Sequence, residues 1–177
     1  MSLQALAHDL NALRSHPGSF DCTLIVKSDP KASFATIIRA HKFVLSFRSP
    51  VFATMLNCNM LESTTGEITI MDFTLDVMMS VVDFMYSADV KFTSIDQCLA
   101  VCSAADKYSI PSLVRNCESF LIQLLTAQKI RGLNKDAIIV YLTASEQFQM
   151  LDLEYECLMY LREHAERISR AGPFRTC

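Results

Sequence analysis

From Ala40 to Glu62 the chain reads Ala-His-Lys-Phe-Val-Leu-Ser-Phe-Arg-Ser-Pro-Val-Phe-Ala-Thr-Met-Leu-Asn-Cys-Asn-Met-Leu-Glu, with a proline inside what is otherwise one helical pattern. Phe43, Val44 and Phe47, then Val51, Phe52, Met55 and Leu56, recur at three- and four-residue steps, the spacing of a helix that buries one face. Two short helices fit better than one. Pro50 has no amide hydrogen to give, and its ring would collide with the carbonyl four residues back. Two short helices are therefore predicted, with Ser49 placed to cap the second. Asn57, Cys58 and Asn59 break the period and leave Met60, Leu61 and Glu62 on a loop, where apolar side chains call for a reason.

The flanking sequence says what this stretch joins. Cys22 to Lys27 and Phe34 to Arg39 are β-branched and apolar around Ser28-Asp29-Pro30-Lys31, and read as a hairpin. Glu67 to Ile70 is a further short strand. Asp72 or Thr74 can then cap a helix carrying Leu75, Met78, Met79, Val82 and Met85 on one face. Asp96 opens the next, with Leu99, Val101, Cys102, Ala105 and Tyr108. Pro111, in a first turn where a missing amide hydrogen does no harm, starts another through Leu113, Cys117, Phe120, Leu121 and Leu124. Asn134 caps a helix with Ile138, Tyr141, Leu142 and Phe148, and Asp152 one with Cys157, Leu158, Leu161 and Ala165. The fold class is α/β, mixed and helix-rich: a small sheet flanked by a helical cluster, with a C-terminal helical extension.

Ahead of the first strand, Leu3, Leu6, Leu10 and Leu13 form a stripe of period about 3.5, the mark of a helix packing on one narrow seam. It packs either on its own domain or on a second copy of the chain.

Chemistry-bearing patterns are sparse. The 4 Gly are too dispersed to cradle a phosphate, and the 4 His fall in different elements. Glu154 and Glu156 read as a solvated helix face, and His41 as a satisfied structural histidine. Neither a catalytic residue nor a metal site nor a cofactor is expected. The 9 Met read as adaptable core filler. The net charge of −3 comes with scattered Lys and Arg, which argues against direct nucleic-acid binding. No apolar run reaches membrane-span length, and no secretory signal is recognisable, so no membrane partner is expected. An odd set of 7 Cys fits reduced thiols and a cytoplasmic or nuclear location. Cys98, Cys102, Cys117 and Cys157 fall on apolar helix faces as small core residues, whereas Cys58, on the loop, is a redox candidate.

Several clusters together resemble a known family. Phe20-Asp21-Cys22, Ala40-His41-Lys42 with Val44-Leu45, Ser49-Pro50-Val51-Phe52 and Met60-Leu61-Glu62-Ser63 follow the pattern of the BTB (POZ) domain in order and spacing. Asp83-Phe84-Met85-Tyr86-Ser87 and Ala104-Ala105-Asp106-Lys107-Tyr108, with Leu113 and Cys117, continue the likeness. Among relatives the chain looks most like the branch that carries a MATH domain and serves cullin ubiquitin ligases. The resemblance implies a dimerisation helix over 1–18, a BTB/POZ core over 19–125, a post-BTB extension (three-box, or the start of a BACK domain) over 126–168 and a frayed tail over 169–177.

It also implies roles. Leu3, Leu6, Leu10, Leu13 and Val44 would form a homodimer interface, and Asp21 and Lys42 a buried charged pair near the two-fold axis. Leu56, Met60, Leu61, Glu62, Asp106, Lys107 and Tyr108 would meet the N-terminal domain of cullin 3, with the apolar residue filling a pocket and Glu62 orienting the partner. The implied function is a non-catalytic, homodimeric cullin 3 adaptor for an unidentified substrate. The alternative is the dimerisation and corepressor-binding module of a transcriptional regulator.

Overall fold

A computed structural model describes residues 12–14, 16, 18–27, 35–57, 61–131, 133 and 135–170, with backbone only at 61, 63, 129–131, 135 and 165–170. Leu3, Leu6, Leu10, Cys58, Met60, Asn134 and residues 28–34 of the expected hairpin lie outside the described residues. The elements in order are β1 (Cys22–Val26), β2 (Thr36–Ala40), α1 (Lys42–Arg48), α2 (Pro50–Asn57), α3 (Leu61–Thr65), β3 (Glu67–Ile70), α4 (Leu75–Ser87), α5 (Ile95–Lys107), α6 (Pro111–Arg131), α7 (Lys135–Gln147) and α8 (Leu151–Arg170). The chain divides into two compact units, residues 1–117 and 118–177, with the division inside α6.

In the first unit β1 is the central strand of a three-stranded sheet of order β2-β1-β3. It pairs antiparallel with β2, Cys22 opposite Ala40, and parallel with β3, Thr23 opposite Glu67. Alternation places Cys22, Leu24 and Val26 inward beside Ile38, Ala40, Ile68 and Ile70, all buried. The parallel pairing begins at Gly66, whose carbonyl accepts the Thr23 amide at 2.8 Å. Its φ of +71° suits glycine, and a Cβ there would stand 2.7 Å from the Asp21 carbonyl.

The expected break at Pro50 is present, with α1 and α2 on either side. Ser49 caps α2 by accepting the Phe52 amide on its Oγ at 3.1 Å. The expected loop at 60–62 is corrected: Leu61 and Glu62 belong to the one-turn helix α3, closed by the Gly66 amide on the Glu62 carbonyl. Helix α4 is N-capped at Thr74 in extended conformation, without a side-chain bond. The cap of α5 is Ser94 rather than Asp96: its Oγ accepts the Gln97 amide, and Gln97 Oε1 returns to the Thr93 amide at 2.9 Å. Asp96 lies in the first turn instead.

The second unit holds the rest of α6 with α7 and α8. Leu121, Leu125, Ile138, Tyr141, Ala144, Met150, Leu153, Cys157 and Tyr160 are buried. The cap of α8 is supplied from a distance: Glu118 Oε1 accepts the amides of Asp152 at 3.0 Å and Leu153 at 3.2 Å. A carboxylate there meets the positive end of the helix dipole. Asp152, the expected cap, is a first-turn residue. Ser169 and Arg170, expected in the tail, are within α8.

Candidate protein-binding surfaces

Tyr108, which ends α5, ties three elements of the first unit together. Its ring stacks on Phe52 of α2 at 4.4 Å between centroids and 9° between planes, and tilts against Phe73 at 6.1 Å. Its carbonyl accepts the Ser49 hydroxyl at 2.6 Å. Desolvation, with the Asp72 charge second, pushes its phenol up to about 12, so it is neutral at physiological pH. Lys107 pairs with Asp72 and lies over the Phe73 ring at 5.7 Å and the Tyr108 ring at 5.9 Å.

Of the seven residues expected to face cullin, three are at the surface of this region. Asp106 and Lys107 are exposed and Glu62 is half-buried. Leu56 and Tyr108, by contrast, are 5% and 2% exposed, so they support the surface from beneath and offer little area themselves. Leu61 starts α3, which packs on α2.

The histidine reading is explicit in the structure. His41 is buried, and the Tyr86 hydroxyl accepts its amide at 2.9 Å and lies 2.7 Å from Nδ1. Nε2 is 2.9 Å from Ser19 Oγ, which itself donates to the His16 carbonyl. The Tyr86 hydroxyl, which accepts the His41 amide, can donate to Nδ1, and Ser19 Oγ, which donates to the His16 carbonyl, can accept from Nε2. Nothing is left over on His41 for a ligand.

Asp21 and Lys42 are adjacent, as expected, but their burial is not seen in the single chain. Asp21 is exposed and Lys42 half-buried, because Asp21 sits at the rim of the sheet just before β1. The Asp21 carboxylate accepts the Lys42 backbone amide at 2.7 Å and so caps α1, whose own residue His41 makes no side-chain cap.

On α1 the sequence pattern is misleading. Phe43 and Phe47 were expected on the buried face, yet they are 71% and 78% exposed and stack on each other at 5.9 Å. The buried residues are Val44 and Leu45, which turn α1 by roughly a hundred degrees from the expected orientation. Val44, expected in the dimer interface, is 3% exposed and therefore already covered within the chain. Leu13 is 38% exposed, and the neighbouring Arg14 pairs with Asp83 and lies 5.7 Å from the centre of the Tyr86 ring. Sequence reasoning missed the aromatic pair because three- and four-residue spacing marks a shared face without saying whether that face is covered.

Cys98, Cys102, Cys117 and Cys157 are buried free thiols, as their helix positions suggested. Contact with Cys102 and Cys98, together with burial, raises the Cys117 pKa, and burial with the Asp21 charge pushes Cys22 up to about 11. These are inert core residues. Among the described residues no group of His, Cys, Asp and Glu could hold a metal ion.

Comparison with known proteins agrees with this architecture. A family profile described as "BTB/POZ domain" matches residues 10–125. The chain is 28% identical over 172 residues to TD and POZ domain-containing protein 2 of Mus musculus, covering 97% of this chain and 43% of that protein. It is 35% identical over 98 residues to BTB and MATH domain-containing protein 42 of Caenorhabditis elegans, covering 52% of this chain and 23% of that one. Among solved structures, the BTB domain of human gigaxonin aligns with a TM-score of 0.55 and 26% identity, over 68% of this chain and 93% of that domain. The chain spans less than half the length of these curated relatives.

Proposed function

The chain belongs to the BTB/POZ domain family, a family of non-catalytic protein-interaction modules, and on that premise we propose that it is the dimeric adaptor of a cullin 3 ubiquitin ligase. The observation that carries this reading is the junction at Tyr108. One residue, stacked on Phe52 and bonded to Ser49, draws the end of α5 against α2, and α2 in turn packs on α3. Glu62, Asp106 and Lys107 are thereby held on a rigid frame, which lowers the ordering cost of docking a partner helix. The exposed Phe43 and Phe47 supply the apolar area that self-association would cover, worth about 3–6 kcal/mol per copy before entropy costs. The adaptor would act in the cytoplasm or nucleus and present a substrate to the ligase.

Calorimetric titration with the N-terminal domain of cullin 3 tests this, beside a Glu62→Ala, Lys107→Glu variant and with light scattering on the same samples. Binding at micromolar affinity or tighter, weakened about tenfold or more in a variant that stays dimeric, is expected. No binding by an intact dimer would overturn it. A second reading, a corepressor-binding module, is favoured by the position of Phe43 directly after Lys42 on an exposed face. In that case Phe43→Glu, Phe47→Glu would leave a dimer that no longer takes up corepressor peptide, whereas the adaptor reading expects the same change to yield monomers.

A further inference from the structure

The second unit carries an open apolar groove that neither surface above uses. A cavity of about 630 Å³ opens between the end of α7 and the start of α8, lined by Leu142, Glu146, Leu151 and Glu154 among others. The apolar surface continues along α8. Leu151, Tyr155 and Leu158 follow at steps of four and three residues, so they share one face, and they are 72%, 61% and 52% exposed. A face with that much apolar area unpaired is unusual on a helix whose other side is already buried through Leu153, Cys157 and Tyr160.

The charge at the cavity end is one-sided. Glu146 and Glu154 both line it, and among the described residues no Lys or Arg does. Glu146 also stands in the last turn of α7, where no basic residue is present and the unpaired carbonyls of the helix end are already partly negative. The positive N-terminus of α8 also faces the cavity, but Glu118 already caps it, so the two carboxylates and the C-terminus of α7 leave a net negative potential next to an apolar trough.

We propose that this groove docks an amphipathic helix of a partner protein, apolar at i, i+3 or i+4 and i+7, with a Lys or Arg at the end that reaches Glu146 and Glu154. The apolar face lies along Leu151, Tyr155 and Leu158, in the helix-in-groove manner. The cation enters at the cavity, compensating both carboxylates and the end of α7. The acidic rim sets orientation and excludes helices tipped with Asp or Glu.

The test uses the full chain and fluorescent designed helical peptides of one length and one Leu pattern, tipped with Lys or with Glu, read by anisotropy. The Lys-tipped peptide should bind and the Glu-tipped one about tenfold more weakly. Glu146→Lys, Glu154→Lys should reverse that preference, and Leu151→Glu should abolish binding of both. Circular dichroism and cullin titration on the same variants check that the fold and the other surface are intact. No binding of either peptide, equal binding of both, or a preference that survives the double charge reversal would overturn the proposal. So would light scattering in which Leu151→Glu removes an oligomer, since the groove would then be occupied by a second copy.

Discussion

Replacing Ser49 with Ala should be among the costliest losses of a single hydroxyl group among the described residues of the first unit. Ser49 is fully buried, and its Oγ makes two bonds, accepting from the Phe52 amide at 3.1 Å and donating to the Tyr108 carbonyl at 2.6 Å. Loss of the N-cap costs about 1 kcal/mol, within a range of roughly 0.5–2. A buried carbonyl left without its donor costs about 1–3 kcal/mol more. The sum, about 2–4 kcal/mol, should lower the midpoint of urea unfolding at unchanged slope and bring the melting temperature down by roughly 6–12 °C. Ser49→Gly separates the two parts, because glycine is tolerated at a cap for a few tenths of a kcal/mol, leaving chiefly the Tyr108 contribution. Thr54→Ala is the control: its hydroxyl bonds the Pro50 carbonyl on an exposed face, and the change should stay within about 0.5 kcal/mol. A Ser49→Ala loss under about 1 kcal/mol would refute the account of Tyr108 as a junction held by this hydroxyl.

Tyr86→Phe should cost about 2–3 kcal/mol, since it strands both the amide and Nδ1 of His41, and the His41 ring resonances should move in the NMR spectrum. Gly66→Ala should destabilise by about 1–3 kcal/mol or abolish soluble expression, because it adds strain at positive φ and a Cβ 2.7 Å from the Asp21 carbonyl; circular dichroism melts give the answer. In alkali the sign is set by Cys22 and Tyr108, whose pKa values are raised by burial from 9.0 to about 11 and from 10.0 to about 12. Both stay neutral in the fold after ionising in the unfolded chain, so their contribution is full below about pH 9 and lost as pH rises through 11 to 12. Urea midpoints measured from pH 8 upward should be level and then fall, and a midpoint that rises above pH 9 would contradict the burial of these groups.

Local features of the chain were enough for its segmentation. Pro50 had to end one helix and begin another because a missing donor and a ring clash act within four residues, and Ser49 could cap because a serine hydroxyl at that position reaches the amide three residues on. The strand at Glu67–Ile70, the helix starting at Pro111 and the buried thiols at 98, 102, 117 and 157 follow from equally short-range rules. What tertiary structure alone decided involves residues far apart in sequence. Glu118 caps a helix that begins at Leu151, and Tyr108 holds a serine 59 positions away, pairings that no periodicity encodes. The same holds for α1: spacing puts Phe43 and Phe47 on one face, but only packing on the rest of the unit covers Val44 and Leu45 and leaves the two rings in solvent. Periodicity fixes which side chains travel together around a helix axis, while the rotation of that helix against its neighbours is settled by the total area buried across all of them.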